Sequence, residues 1–143
     1  MKGSTILVPT DFSPASSDAL ATARELAGPL GLEIVLLHTY TVPAEVYPGF
    51  GPVVAPGFPD DMAAAAKGAL DKLAAEQGGL RSMLRMGDPA TQILQAIEEL
   101  KPALVAMGTH GRKGIERFLL GSVTEKVVRA STAPVLTVHA RPQ

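Results

Sequence analysis

A glycine-rich, basic segment near the C-terminus contains the residues best suited to binding an anion. Gly108, Gly111, Gly121 and Ser122 are spaced G-x2-G-x9-G-S. The short apolar run 103–107 comes before the first glycine, and a helical pattern follows the last. Glycine lets backbone N–H groups approach a phosphate closely, and the N–H groups at a helix N-terminus favour negative charge. The order strand, glycine loop, helix therefore predicts an anion-binding site.

Neighbouring side chains add to this prediction. Ser122 and Glu125 have the spacing of a capping box, so Ser122 is expected to be the N-cap of the last helix. Arg112 and Lys113 lie between the glycines, where they either steer an anion or form an ordinary solvated basic face. The simpler interpretation of Gly108 alone is a turn or a close helix–sheet contact.

The whole constellation resembles the nucleotide-binding motif of the universal stress protein family, in its ATP-binding branch. Met107 before the first glycine and the pair 123–124 after Ser122 agree with that motif, and so do segments 109–111 and 133–138. The resemblance spans the whole chain. It implies an adenine-nucleotide-binding protein that acts in stress responses, usually as a homodimer.

The resemblance also implies a role for individual residues. It assigns Pro9, Thr10 and Asp11 to the base and ribose side of the nucleotide. It assigns Thr39 to a backbone contact with adenine, although the family usually has an apolar residue there, often valine. The residues expected around the ribose and phosphates are Gly108, Gly111, Gly121, Ser122, Val123 and Thr124. Met107 and Arg112 complete the expected cofactor-binding set.

The implied cofactor is ATP or another adenine nucleotide, with Mg²⁺ held by the phosphates. Asp11 could hold this ion through water, but bound phosphates alone could also do so. Outside the resemblance, the histidines at 38, 110 and 139 lack metal-ligand spacing, so no protein metal site is predicted.

Composition limits the possible classes of protein. A length of 143 residues favours one domain over 1–143 with a substantial core. A formal net charge of −1 gives no general attraction to nucleic acid or acidic membranes. The chain has no cysteine, which excludes disulfides, thiolate metal sites and cysteine nucleophiles. With no run of signal-peptide or transmembrane length, a soluble cytoplasmic protein is expected.

Apolar periodicity predicts five strands alternating with four helices. Strands are expected at 5–8, 33–39, 80–86, 103–107 and 135–139. Helices are expected to begin at Ser13-Pro14, at Asp60 or Asp61, at Asp88-Pro89 and at Ser122. This alternation predicts an α/β fold with one doubly wound parallel sheet and helices on both faces. The resemblance implies the strand order 3-2-1-4-5.

In such a sheet, ligands bind at the carboxyl ends of the strands, where the winding reverses. The first strand leads to Asp11 and the fourth to Gly108. The strand order that the resemblance implies makes these strands neighbours, so both residues are expected at one crevice. The Asp11 carboxylate is suited to accept hydrogen bonds from ribose hydroxyls. The alternative is a local cap on the turn that follows it.

Two further segments carry predictions. Residues 41–59 are rich in proline and glycine, and form either a variable surface loop or a flap over the ligand site. The fifth strand is apolar, lies at a sheet edge and has no charge before Arg141. Pairing with a second copy would protect such an edge, which favours the homodimer through this strand that the resemblance implies. The alternative is an edge covered by a loop of the same chain.

Competing nucleotide and hydrolase motifs are missing. The sequence has no P-loop, no G-x-G-x-x-G after the first strand and no G-x-S-x-G. The resemblance makes a nucleotide-dependent binding protein the first hypothesis. A slow ATPase or a phosphoryl- or adenylyl-transferring enzyme is the alternative, and an interaction module without nucleotide is the third.

Overall fold

The computed structural model describes residues 2–110 and 120–141. In this part of the chain, five parallel strands form the central sheet, and their order is β5-β2-β1-β6-β7. These strands are β1 (Thr5–Pro9), β2 (Glu33–Tyr40), β5 (Arg81–Met86), β6 (Leu104–Gly108) and β7 (Val135–Val138). Counted within this sheet alone, the order is 3-2-1-4-5. The predicted fold class and strand order are confirmed.

Four helices cover the two faces of the sheet. They are α1 (Pro14–Leu30), α2 (Phe58–Glu76), α3 (Pro89–Leu100) and α4 (Ser122–Ala130). Side chains of β1 alternate between the two faces of the sheet. Ile6 and Val8 pack with α1 and α2, whereas Leu7 packs with α3 and α4. β1 is buried on both faces, and its residues 6–9 accordingly form a continuous apolar run.

The starts of α1 and α3 follow the predicted capping signals. The Ser13 hydroxyl accepts a hydrogen bond from the Ser16 N–H at 3.3 Å, and the Asp88 carboxylate accepts one from the Thr91 N–H at 3.0 Å. A proline follows each cap, where its missing N–H costs nothing. Gly31 ends α1 in the left-handed conformation, with φ of 64°.

One prediction along residues 41–61 is wrong. The helix α2 begins at Phe58 after Gly57, so Asp60 and Asp61 lie in its first turn instead of starting it. The segment 41–59, predicted as a surface loop or a flap, contains an antiparallel hairpin of β3 (Glu45–Tyr47) and β4 (Gly51–Val53). Strand ends elsewhere shift by one residue, and His139 lies beyond β7.

Candidate functional site

A cavity of about 390 Å³ opens at the carboxyl ends of β1, β2 and β6. The connection after β1 leads to its neighbour β2 on one side, whereas the connection after β6 leads to its neighbour β7 on the other side. The direction of winding reverses between β1 and β6, so the cavity lies at the switch point of the sheet. Its volume is typical of small-molecule sites. The residues that line it are Pro9, Thr10, Asp11, Ser16, Leu37, Thr39, Pro89, Ile93, Met107, Gly108, His110, Gly121, Ser122, Val123 and Thr124.

Most of the residues expected from the sequence come together here. Ten of the twelve expected residues line the cavity, and they are Pro9, Thr10, Asp11, Thr39, Met107, Gly108, Gly121, Ser122, Val123 and Thr124. Gly111 and Arg112 lie outside the described residues. The geometry therefore joins the end of the first strand to the glycine motif, although the two are about a hundred residues apart in sequence.

Five lining residues were not among those expected: Ser16, Leu37, Pro89, Ile93 and His110. Strand alternation could have indicated Leu37, because it shares a face with Thr39 two residues later. The contribution of α3, through Pro89 and Ile93, depends on how that helix packs across the sheet. No local signal in the sequence reports this packing.

The cavity has an apolar side and a polar side. Leu37, Ile93 and Met107 are buried members of the core on the α3–α4 face, and they form the apolar side. The polar side is formed by Thr10, Asp11 and Ser16. A site with these two sides suits a ligand that combines a flat apolar ring with hydroxyl groups.

Hydrogen bonds within the turn after β1 fix its polar groups. The Thr10 and Ser16 hydroxyls lie 3.2 Å apart, and the Ser16 hydroxyl donates to the Ser13 carbonyl oxygen at 2.9 Å. One Asp11 carboxylate oxygen accepts from the Ser13 N–H at 3.0 Å. The local capping role considered for Asp11 is therefore present, and the same side chain also lines the cavity.

The N-terminus of α4 lies at the cavity, and its N-cap is Gly121 instead of the predicted Ser122. The chain enters the helix one residue earlier because the Gly121 carbonyl already accepts the Glu125 N–H at 2.9 Å. The N–H groups of Ser122, Val123 and Thr124 precede this first intrahelical bond. Glycine has no side chain to cap them, and no side-chain hydrogen bond from the described residues caps this terminus, which lies among the residues that line the cavity.

Gly121 has φ of −61° and ψ of 158°, a conformation open to any residue. The backbone angle of this residue therefore does not require glycine. Its N–H donates to the Thr109 carbonyl oxygen at 2.6 Å, which anchors the helix start to the chain after β6.

Gly108 is needed for packing. A Cβ at this position would lie 2.7 Å from the Ala15 Cβ and 2.8 Å from the Ala15 carbonyl carbon. Such distances are far below ordinary contact, so glycine allows the start of α1 to approach the end of β6. The simpler interpretation of this glycine, a close helix–sheet contact, is the one that the structure supports.

His110 contributes a buried ring nitrogen to the cavity region. Within the described part of the chain, its Nε2 is buried and has no hydrogen-bond partner. Leaving such a group unpaired is unfavourable. A polar ligand atom in the adjacent cavity would satisfy it.

Neither a cluster of metal ligands nor a membrane-spanning helix is found in the described part of the chain. No group of three or more His, Cys, Asp or Glu side chains is arranged to hold a metal ion among residues 2–110 and 120–141. Over the same residues, none of the helices is both long and apolar enough to cross a membrane.

The fold and site define a doubly wound α/β protein with a cavity at its switch point and a glycine-capped helix N-terminus facing that cavity. The sequence profile of the Universal stress protein family matches residues 4–139. The chain belongs to this family, and the resemblance noted in the sequence is confirmed.

Curated relatives support the assignment. The chain is 33% identical to universal stress protein MJ0531 of Methanocaldococcus jannaschii, over 93% of this chain and 80% of the relative. It is 30% identical to universal stress protein YxiE of Bacillus subtilis, over 94% of this chain and 97% of the relative. A Mycolicibacterium smegmatis relative is longer, and the match spans 46% of its length at 30% identity.

Solved structures share the fold. Protein MJ0577 of M. jannaschii superposes with a TM-score of 0.79 at 24% identity, covering 100% of both chains. UspA of Lactobacillus plantarum gives a TM-score of 0.76 at 24% identity, over 96% of this chain and 99% of that one. A universal stress protein solved in complex with cAMP gives 0.70 at 23% identity, over 96% and 98%.

Proposed function

We propose that this universal stress protein binds an adenine nucleotide, with ATP as the first candidate, in the cavity at the switch point. The observation that carries the proposal is the convergence of three different groups on one cavity. An apolar side, the Asp11 carboxylate and the glycine-capped N-terminus of α4 all line it. A nucleoside phosphate contains a complementary group for each of them.

In the proposed arrangement, the adenine ring packs against Leu37, Ile93 and Met107. The ribose hydroxyls donate to Asp11, which lies at the end of β1. The phosphates accept from the N–H groups of residues 122–124, where the helix dipole also favours negative charge.

Ser122 and Mg²⁺ have secondary roles in this proposal. The Ser122 hydroxyl is not the helix cap, so it is available to donate to a phosphate. Mg²⁺ would be carried by the phosphates themselves. Gly111 and Arg112 would contribute from the same motif, outside the described residues.

A comparison also supports an adenine nucleotide as the class of ligand. One structural neighbour was solved in complex with cAMP, which contains adenine, ribose and a phosphate. Because cAMP and ATP differ in the length and charge of the phosphate group, both belong in the test.

The assembly is also a proposal. β7 is the outer strand of the sheet, and its residues are only partly buried in the described chain. Pairing of β7 with a second copy would give the expected homodimer, and light scattering at micromolar concentration would measure it. The cytoplasmic location, the single-domain organisation and the lack of nucleic-acid or membrane partners stay predictions.

Calorimetric titration of the purified protein with ATP, ADP, cAMP and GTP tests the proposal. We expect saturable binding of at least one adenine nucleotide, and Ser122→Ala should weaken it. The matched control is Ser17→Ala, because Ser17 is exposed on α1 and does not line the cavity. A folded parent protein that binds none of the adenine nucleotides would overturn the proposal.

A further inference from the structure

The residue after Asp11 has an unusual backbone conformation. Phe12 has φ of 62°, in the left-handed region that bulky side chains rarely adopt. Such a conformation persists only where the surroundings impose it, and it is found most often at functional sites. The contacts that impose it on Phe12 can be identified.

Two hydrogen bonds and one ring contact hold Phe12 in place. Its N–H donates to the Thr10 hydroxyl at 3.1 Å, and the next N–H, of Ser13, donates to the Asp11 carboxylate at 3.0 Å. The Phe12 ring packs on the His38 ring, with centroids 4.5 Å apart and an interplanar angle of 50°.

His38 also binds the backbone of the same turn. Its Nδ1 lies 2.8 Å from the Thr10 carbonyl oxygen. A carbonyl oxygen only accepts, so Nδ1 carries the proton and donates it. The Thr10 N–H in turn donates to the Leu37 carbonyl oxygen at 2.8 Å. Thr10 is therefore bonded to two consecutive residues of β2, once by its N–H and once by its carbonyl.

The hydrogen bond from the His38 side chain replaces a backbone hydrogen bond of the β1–β2 ladder. In a regular parallel ladder, a Thr10 N–H bonded to the Leu37 carbonyl would be followed by a Thr39 N–H bonded to the Thr10 carbonyl. The pairing of β1 with β2 instead ends at Pro9 and Leu37. By strand alternation, the Thr39 backbone groups then point to the β1 side, where Thr39 lines the cavity.

Phe12 and His38 are separate from the cavity. Neither lines it, and Phe12 packs against the core on the α1–α2 face of the sheet. Any effect that they have on a ligand must therefore be transmitted through Thr10, Asp11 and Thr39.

We propose that Phe12 and His38 are positioning residues, which hold the Asp11 carboxylate and the Thr39 backbone in their ligand-binding arrangement without touching the ligand. The inference rests on the proposed function, because it takes an adenine nucleotide as the ligand. In this proposal, the ring contact maintains the conformation of Phe12, and the His38 hydrogen bond causes the β1–β2 ladder to end early.

The variants separate the hydrogen bond from the bulk of the ring. His38→Asn keeps an N–H donor near the position of Nδ1, whereas His38→Leu keeps apolar bulk and removes the donor. Phe12→Leu keeps apolar bulk and removes the ring contact. The stability control is Leu70→Val, because Leu70 is buried in the same core but lies on α2 instead of the turn. It should lower the melting temperature without moving the turn.

The first readout is the ratio of affinities for ATP and 2′-deoxyATP, because Asp11 is assigned to the ribose. We expect His38→Leu and Phe12→Leu to lower this ratio at least about threefold, a reduction in the range that loss of one hydrogen bond produces. His38→Asn should recover most of it, and Leu70→Val should leave it unchanged. A purely structural role would lower the melting temperature and leave the ratio unchanged.

The second readout needs no ligand. Amide hydrogen exchange measured by NMR reports the Phe12 and Ser13 N–H groups directly. In His38→Leu, both should exchange at least about tenfold faster than in the parent, as expected when local opening becomes easier. In Leu70→Val at the same temperature, they should remain protected relative to the rest of the chain.

The two readouts distinguish the possible failures. If the parent protein binds no adenine nucleotide, the proposed function fails. Separately, unchanged amide exchange in His38→Leu would show that His38 does not hold the turn. If the parent binds ATP and His38→Leu keeps its ribose preference, the positioning role is overturned whatever the exchange rates are. Loss of the preference together with faster exchange supports the proposal.

Discussion

The Thr124 hydroxyl donates a 2.7 Å hydrogen bond to the Gly108 carbonyl oxygen. This bond ties the first turn of α4 to the last residue of β6, and Thr124 is buried while making it. Because the hydroxyl proton is used here, the side chain can offer a ligand only an acceptor. The contribution of Thr124 to anion binding therefore depends on its backbone N–H and on the position of the helix.

Replacing Thr124 with Val tests this link. The change keeps the shape of the side chain and removes the donor, so the Gly108 carbonyl loses its partner. We expect a loss of about 1–3 kcal/mol in unfolding free energy, the usual cost of an unsatisfied buried group. ATP affinity should fall severalfold, because the helix N-terminus is less firmly placed. Denaturant unfolding and calorimetry measure the two effects, and Thr124→Ser, which keeps the donor, should retain most of both.

Gly121→Val should weaken ATP binding by well over tenfold, equivalent to about 1.4 kcal/mol or more. A β-branched side chain at the N-cap would occupy space beside the N–H groups that face the cavity. Ser122→Ala should have a smaller effect, because it removes one hydroxyl donor worth about 1 kcal/mol. Calorimetry measures both effects after circular dichroism has shown that the variants are folded.

The control for Gly121→Val is Gly28→Ala, since Gly28 lies in α1 and a Cβ there meets nothing within 4 Å. If folded Gly121→Val binds ATP as tightly as the parent, the phosphates do not bind at this helix terminus.

Gly108→Ala should destabilise the fold whether or not a ligand is present. The added Cβ would meet Ala15, so α1 must move away from β6. Overpacking of this kind costs about 1–3 kcal/mol. A second change, Ala15→Gly, should recover only part of the loss, because the Ala15 backbone carbon also lies 2.8 Å away. Equilibrium unfolding of the single and double variants measures this, and an unaffected Gly108→Ala would contradict the packing role.

Asp88 predicts a pH dependence of stability. Hydrogen bonds from the Thr91 backbone and then its hydroxyl, with a smaller effect of Lys126, hold the pKa of the Asp88 carboxyl below 3.8. Because the folded-state pKa is the lower one, this contribution to stability is fully present above the unfolded value. It is lost as the pH falls through the folded-state pKa.

Comparison with Asp88→Asn isolates this effect, because the amide still caps the helix but does not titrate in this range. We expect the parent to be at least as stable as Asp88→Asn at pH 7. This advantage should decrease below about pH 4, near the ordinary pKa of aspartate. Urea unfolding at pH 7 and pH 3 provides the measurement, and a pH-independent difference between the two proteins would contradict the prediction.

Hydrolysis of bound ATP should be slower than about 1 s⁻¹, the low end of ordinary enzyme turnover. Fast phosphoryl transfer needs a positioned base or water-orienting group and a charge clamp at the γ-phosphate. In the cavity, Asp11 is the one carboxylate among the described lining residues, and Ser13 already donates to it. A phosphate-release assay measures the rate, and turnover well above this value would favour the enzyme alternative.

The sequence predicted best the features that depend on local signals. Ser13-Pro14 and Asp88-Pro89 mark helix starts because the cap and the first turn are adjacent in sequence. The capping-box spacing at Ser122 predicted the N-cap one residue too late, because glycine can also serve as the N-cap and Gly121 does so here.

Features that depend on packing across the sheet were not predicted. Ile93 reaches the cavity because of where α3 lies over β2, which its own periodicity does not specify. The hairpin of β3 and β4 was missed because proline and glycine obscure the period-two pattern of its short strands.

Because Gly108 contacts Ala15 closely, the α1 side of the cavity tolerates fewer substitutions during evolution than the α3 side. At Ile93, on the α3 side, substitution by a larger or smaller side chain could adjust the space available to a ligand. Where α1 meets β6, Ala15 has only one methyl group to lose, and even one methyl group added at Gly108 would meet the Ala15 backbone. We therefore expect differences in ligand size among close relatives to arise by substitutions on α3, while the α1 side tolerates little variation.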